Sequence, residues 1–194
     1  MDQKYYAVKK GLQNGVYTSA EKTLQNIDDC PDAWVKAFDN EQEAHDFVFD
    51  SASHTDSNHV IAYVDGSYNK DTGQYSSGIV MIAEGKVILE KGEAYATMDY
   101  RESHQIAGEV FGAARAIQHA IIRGFEKITI YYDFLGIEKW ATKEWKTNKP
   151  VSQNYATFID KVKSQIDIQF EKVKAHSGDY YNERADQLAK NALN

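Results

Sequence analysis

Val60-Ile61-Ala62-Tyr63-Val64-Asp65-Gly66-Ser67 is the stretch on which the fold turns. Three of its five leading apolar residues are β-branched, and a run this short between polar flanks predicts a buried strand over 60–64. Asp65-Gly66 reads as its end. Two more strand-like runs follow at 77–83 and 86–95, with Gly73 and Glu84-Gly85 in the connections, so an antiparallel meander is expected. Ile106, Val110, Ala113, Ile117 and Ile121 then recur at spacings of three and four, which predicts an amphipathic helix over about 103–123. Gly124 ends it. A strand at 127–132, helices at 134–142 and 152–165, a strand at 166–173, a loop at 175–179 and a helix at 181–193 complete the order βββ-α-β-α-α-β-α. That order predicts an α/β fold, a mixed five-stranded sheet with flanking helices.

Upstream, Ser-Ala-Ser-His-Thr-Asp-Ser-Asn at 51–58 is small, polar and aperiodic, and reads as a linker. Residues 1–50 then form a front domain and 59–194 the main one. Within the front domain, strands at 5–9 and 16–18 flank Gln13-Asn14-Gly15, and Ser19 caps a helix over 19–27. A strand at 33–38 and a helix running from Asn40 to about 49 complete a small ββαβα unit.

The 194 residues are 42% hydrophobic and 26% charged, enough for a core and too apolar for disorder. The first residues are polar, with no apolar segment of secretory type, and the aliphatic runs are strand-sized, so neither export nor membrane insertion is expected. The lone Cys30 has no internal disulfide partner, and a reducing, cytoplasmic setting follows. A net charge of −7 speaks at first against a polyanionic partner, but it is unevenly spread. Residues 1–57 hold 5 basic and 11 acidic side chains, whereas 58–194 hold 17 and 18. Between 139 and 149, Lys139, Lys143, Lys146 and Lys149 face Glu144 alone, so local patches decide the matter.

Four acids stand out. Asp65 and Asp133 each follow a strand, where open α/β sheets place their sites, although either also suits an ordinary turn or helix cap. Glu109 borders the apolar stripe of the long helix, three residues after Ile106 and four before Ala113. A carboxylate there is costly unless a cation answers it. Asp186 shares a helix face with Ala189 and Leu193, and its ordinary reading is an acid answering the helix dipole. Together they supply the hard oxygen ligands that two divalent cations about 4 Å apart require.

In order along the chain, Tyr63-Val64-Asp65-Gly66-Ser67, Ala107-Gly108-Glu109-Val110, Ile130-Tyr131-Tyr132-Asp133, His176-Ser177-Gly178-Asp179 and Asn182-Glu183-Arg184-Ala185-Asp186 resemble the type 1 ribonucleases H. The resemblance covers 59–194, and its most specific piece is the His ten residues ahead of the last Asp. It implies a hydrolase that cuts the RNA strand of RNA–DNA hybrids with two Mg²⁺ ions, Mn²⁺ being an alternative, and leaves 5′-phosphate and 3′-hydroxyl ends. Asp65 is implied to bridge both ions, Asp186 to help hold the one that activates water, and Glu109 and Asp133 to hold the other. His176 is implied in proton transfer and product release. Glu183 reads more simply as a surface acid.

Hybrid recognition needs 2′-hydroxyl contacts on one strand and backbone contacts on the other. The resemblance points to Gly66, Ser67 and Gln105 for the first, with Gln105 standing where relatives carry Asn. Trp140, Lys143, Trp145 and Lys146 interleave aromatics and cations and suit the DNA strand, with one of the two tryptophans expected to pack inward instead. The front domain resembles the small hybrid-binding module of the same family through Tyr6-Ala7-Val8-Lys9-Lys10-Gly11, Gly15-Val16-Tyr17-Thr18 and Lys36-Ala37-Phe38. Ala20 and Val35 replace two aromatics that pack on DNA in that module, which predicts weakened binding. Trp34, on one strand face with Lys36 and Phe38, is the candidate substitute. No protein partner is implied, and a monomer is expected. The competing readings are a non-catalytic hybrid-binding protein and a nuclease of the same fold acting on DNA.

Overall fold

The computed structural model describes residues 3–12, 14–28, 30, 33–49, 57–96, 98–173 and 179–194. Most of the expected linker, and the whole of 174–178 with His176, lie outside them.

The front unit comprises strands β1 (Tyr5–Lys10) and β2 (Gly15–Tyr17), helix α1 (Ala20–Ile27), strand β3 (Trp34–Phe38) and helix α2 (Glu41–Phe49). Its antiparallel sheet has the order β2-β1-β3. Ser19 caps α1 by accepting from the Lys22 amide, and Asn40 accepts from the Glu43 amide at the start of α2. Ala7, Val16, Ala44 and Val48 form a small core.

The larger unit runs β4 (His59–Tyr68), β5 (Tyr75–Ala83), β6 (Lys86–Tyr95), a 3₁₀ turn (Met98–Ser103), α3 (Gln105–Ile122), β7 (Lys127–Tyr132), α4 (Gly136–Ala141), α5 (Pro150–Val162), β8 (Asp167–Lys172) and α6 (Tyr180–Asn191). The sheet order is β6-β5-β4-β7-β8, antiparallel from β6 to β4 and parallel from β4 to β8. Alternation along β4 divides the core. Val60, Ala62 and Val64 lie under α3 and α5, while Ile61 and Tyr63 lie in the cluster with Tyr181 and Ala185 of α6. Ile79, Ile117, Ile128 and Ile130 are fully buried, and each such side chain stabilises the fold by roughly 1.5–3 kcal/mol. Among the described residues, no helix is long and apolar enough to cross a membrane.

Three expectations change. Asp65 does not end its strand: β4 continues to Tyr68, because Gly66, Ser67 and Tyr68 pair with Ser77, Ser76 and Tyr75 of β5. The parallel ladder with β7 stops at Tyr63↔Tyr131, so Asp65 lies where one neighbouring strand departs and the other continues. The helix expected from 152 begins at Pro150, whose missing N–H costs nothing in a first turn. The long helix is preceded by the 3₁₀ turn, and its N-cap residue His104 has φ 48°, an uncommon value outside glycine.

Candidate metal centre

Glycine decides which side chains meet. A Cβ on Gly66 would stand 2.3 Å from the Gln105 carbonyl oxygen and 2.5 Å from the Glu109 nitrogen, and one on Gly108 would stand 1.9 Å from the Ser76 carbonyl oxygen. The backbones of β4, β5 and the first turns of α3 therefore approach more closely than any side chain allows. That contact brings Glu109 to Asp65. Asp133, one residue past the end of β7, completes the group, and the ligand oxygens of Asp65, Glu109 and Asp133 all lie within 4.8 Å of one another.

Asp186 arrives from the opposite face of the sheet. A Cβ on Gly78, the cross-strand partner of Asp65, would stand 1.8 Å from the Ala185 carbonyl oxygen. One on Gly92, the partner of Gly78 on β6, would stand 2.3 Å from the Leu188 carbonyl oxygen. The two glycines make a trough in which α6 lies, and the Ser76 hydroxyl donates to the Ala189 carbonyl at 2.6 Å to fix its height. Asp186 stays outside the group of three, its Oδ2 accepting from Lys190 Nζ at 2.6 Å. Lys190 was not anticipated, although the acid-to-lysine spacing of four is a sequence signal for such a pair.

The three clustered acids are an electrostatic conflict. Burial, then the charge of Asp133, push Asp65 up to about 7, although the Gly66 amide donates to its Oδ1 at 2.6 Å. Burial and the charges of Asp133 and Asp65 push Glu109 up to about 9. Oxygen-only donors, converging and mutually repelled, fit a hard divalent cation, whose charge removes the repulsion. Both folded pKa values stand above those of the unfolded chain. The folded state therefore holds more protons between about pH 4 and 9, and this contribution, complete below pH 4, is lost as pH rises through 7 and 9. Metal-free protein is thus expected to melt at progressively lower temperature from pH 5 to 9, and saturating Ca²⁺ to flatten that decline. A metal-free melting temperature that rises over that range would exclude the coupled cluster.

The remaining candidates fall into two places. Gly66 and the exposed Gln105 line the contact between β4 and α3 beside Asp65, and Ser67 follows on β4 opposite Ser76 of β5. Trp140, Lys143, Trp145 and Lys146 line a separate cleft of about 660 Å³ with Gln153 and Asp160. Trp140 is the inward tryptophan, packed edge-on to Phe134 at 5.5 Å, while Trp145 is 44% exposed. Lys143 pairs with Asp160 at 2.9 Å and Lys139 with Glu144 at 2.8 Å, whereas Lys146 has no ion pair among the described residues. Glu183 is a surface acid, paired with Lys22 at 2.8 Å. On the front domain, Trp34 is half exposed with Lys9 Nζ 4.9 Å from its ring centre, and Lys36 Nζ lies 4.8 Å from that of Phe38.

A mixed five-stranded sheet with acids gathered where β4 and β7 part defines a class, an α/β protein whose converging carboxylates could hold a metal ion. Residues 57–194 match the family described as RNase H, and residues 4–48 match the one described as Ribonuclease H1 N-terminal domain. The Ribonuclease H of Syntrophomonas wolfei is 32% identical over 146 residues, covering 69% of this chain and 95% of that protein. Human Ribonuclease H1 is 22% identical over 252 residues, covering 96% and 88%. The matches to Wolbachia ribonucleases H reach 48% identity but span 60 residues, 41% of those relatives' length. Among solved structures, RNase H1 of Halobacterium salinarum superposes with a TM-score of 0.60 at 26% identity, covering 70% of this chain and 97% of that one. The LC11-RNase H1 complex with an RNA/DNA hybrid shares the fold at a TM-score of 0.56 and 15% identity, covering 70% and 99%. The chain belongs to the ribonuclease H family, with a Ribonuclease H1 N-terminal domain in front.

Proposed function

We propose that this chain hydrolyses the RNA strand of RNA–DNA hybrids, leaving 5′-phosphate and 3′-hydroxyl ends. The observation that carries this reading is the convergence of Asp65, Glu109 and Asp133 at one point of a ribonuclease H fold. A relative of that fold was solved on an RNA/DNA hybrid, which supports the substrate class. Glu109 and Asp133 would hold one Mg²⁺, Asp186 the other, and Asp65 both, with Mn²⁺ a workable substitute. When bound, the ions supply an activated water on one side of the scissile phosphate and neutralise charge on the departing 3′ oxygen. Gly66, Ser67 and Gln105 orient the RNA strand across the β4–α3 contact. His176, outside the described residues, is assigned to proton transfer and product release. The division into residues 1–50, linker 51–58 and 59–194, a monomeric state and a cytoplasmic setting belong to the same reading, the last on the lone Cys30.

A gel assay with end-labelled RNA–DNA, RNA–RNA and DNA–DNA duplexes in Mg²⁺ tests this directly. Only the RNA strand of the hybrid is expected to be cut, and Ca²⁺ is expected to bind without turnover, since its looser shell does not hold the in-line geometry. Equal cutting of duplex DNA would favour the DNA-nuclease alternative, and retention of intact hybrid would favour the binding protein.

The DNA strand is assigned to Trp145 and Lys146, with Trp34 and Lys36 as an accessory contact. Because Lys146 has no partner carboxylate among the described residues, Lys146→Ala should remove one phosphate contact and flatten the slope of log K against log salt by ~0.9. Lys143→Ala, whose cation is already answered by Asp160 at 2.9 Å, should change the slope less. Fluorescence anisotropy on a labelled hybrid in Ca²⁺ measures both, and equal slopes for the two variants would contradict the assignment.

A further inference from the structure

The contact between the front domain and helix α6 is built like a core. Gly15 lies so close that a Cβ there would stand 2.7 Å from Oδ2 of Asp179. Asp179, 2% exposed, is the N-cap of α6 and accepts from the Asn182 amide at 3.0 Å. From α2, His45, 1% exposed, stacks on Tyr181 with ring centres 4.0 Å apart. Tyr181 in turn packs on Tyr63 at 5.5 Å, and Tyr63 stacks on Tyr131 at 4.6 Å, so one file of rings runs from the front domain into the central sheet. Tyr180 packs against the front-domain core and the core beneath α6 at once. At the rim, Lys22 pairs with Glu183 at 2.8 Å, and the Gln42 amide donates to the Gly85 carbonyl in the β5–β6 turn.

A module that merely trails on a tether keeps polar groups on the side facing its neighbour. Here separation would uncover His45, Tyr180, Tyr181 and the capping carboxylate together. We propose that the front domain is a fixed positioning partner of α6: Gly15 and His45 hold the first turn of that helix, and through it the placement of Asp186 beside Asp65. They are positioning residues, since neither touches the acid cluster. On this view the surface recognised by Gly15 and His45 is the larger domain of the same chain, and hybrid contact by Trp34 and Lys36 is a separate matter on the other side of α2.

Hydrogen exchange on the full chain, without metal or substrate, tests the proposal independently of the proposed activity. Gly15→Val drives a side chain into the cap, and His45→Asp removes the stacked ring. Each should speed exchange of the Asn182 and Glu183 amides at least tenfold, whether or not the front domain itself stays folded. His45→Phe, which keeps a ring on Tyr181, should retain protection, and Trp34→Ala should leave it unchanged. Ca²⁺ titration by calorimetry should show weaker binding in Gly15→Val and His45→Asp, and on hybrid their kcat should fall while KM holds. Unchanged exchange at Asn182 and Glu183 in both variants, or a rise in KM with kcat intact, would overturn it.

Discussion

Asp133→Asn is expected to turn over hybrid at least ~100-fold more slowly than the wild type, equivalent to roughly 2.7 kcal/mol of lost transition-state stabilisation, with the fold intact. The amide has the shape of the carboxylate and can still hydrogen-bond Glu109, so packing at the end of β7 is kept while a charged ligand is lost. After burial, the Asp133 charge does most to raise both Asp65 and Glu109, and its removal lets both ionise at lower pH. Metal-free melting at neutral pH should therefore hold or rise as activity collapses. Asp65→Asn and Glu109→Gln are expected to follow the same pattern. Single-turnover kinetics on a labelled hybrid, paired with melting in chelator, separates the two effects; a fully active Asp133→Asn protein would sink the metal assignment.

Gly78→Val is expected to be the most damaging single substitution on the α6 side of the sheet. Its Cβ would lie 1.8 Å from a backbone oxygen and 2.8 Å from a backbone nitrogen, neither of which can rotate away. The helix must lift from the trough, and Ala185 loses its burial against β5. Overpacking against rigid backbone puts the cost at about 3 kcal/mol or more, and a chain of this size then melts roughly 6–12 °C lower. Asp186 moves with the helix, so Ca²⁺ affinity should fall too. A variant melting within about 2 °C of wild type would mean that the trough is not a constraint.

Much of this was legible in the sequence. The three-and-four spacing from Ile106 to Ile121 located α3, and the β-branched run at 60–64 located the centre of β4, because burial leaves periodic traces. The order of elements followed, as did the place of Asp133 just past β7, but Asp65 lies inside β4 rather than at its end. The extension of β4 through Gly66-Ser67 did not, because neither residue favours strand on its own; both are held there by Ser76 and Ser77 opposite. The helix expected from 152 starts at Pro150 instead. Gly15 resembled a turn glycine, and nothing in the helix from Asn40 singled out His45. Their contacts lie 164 positions away, at Asp179, and 136 positions away, at Tyr181, which no local pattern encodes. The same is true of Gly78 and Gly92, whose meaning lies entirely in the helix that crosses them.

The position of Asp65, where the β7 ladder ends and the β5 ladder continues, gives the protein an internal check on its own folding. Side chains alternate along β4, so a slip of one residue against β5 would carry Asp65 off the face on which it meets Glu109 and Asp133 and set a bulkier neighbour over the place of Gly78. Misaligned molecules would then lose the acid cluster and the seat of α6 in one stroke. On the proposed metal assignment, the fraction of any preparation that titrates with Ca²⁺ should equal the fraction whose central strands found their proper partners.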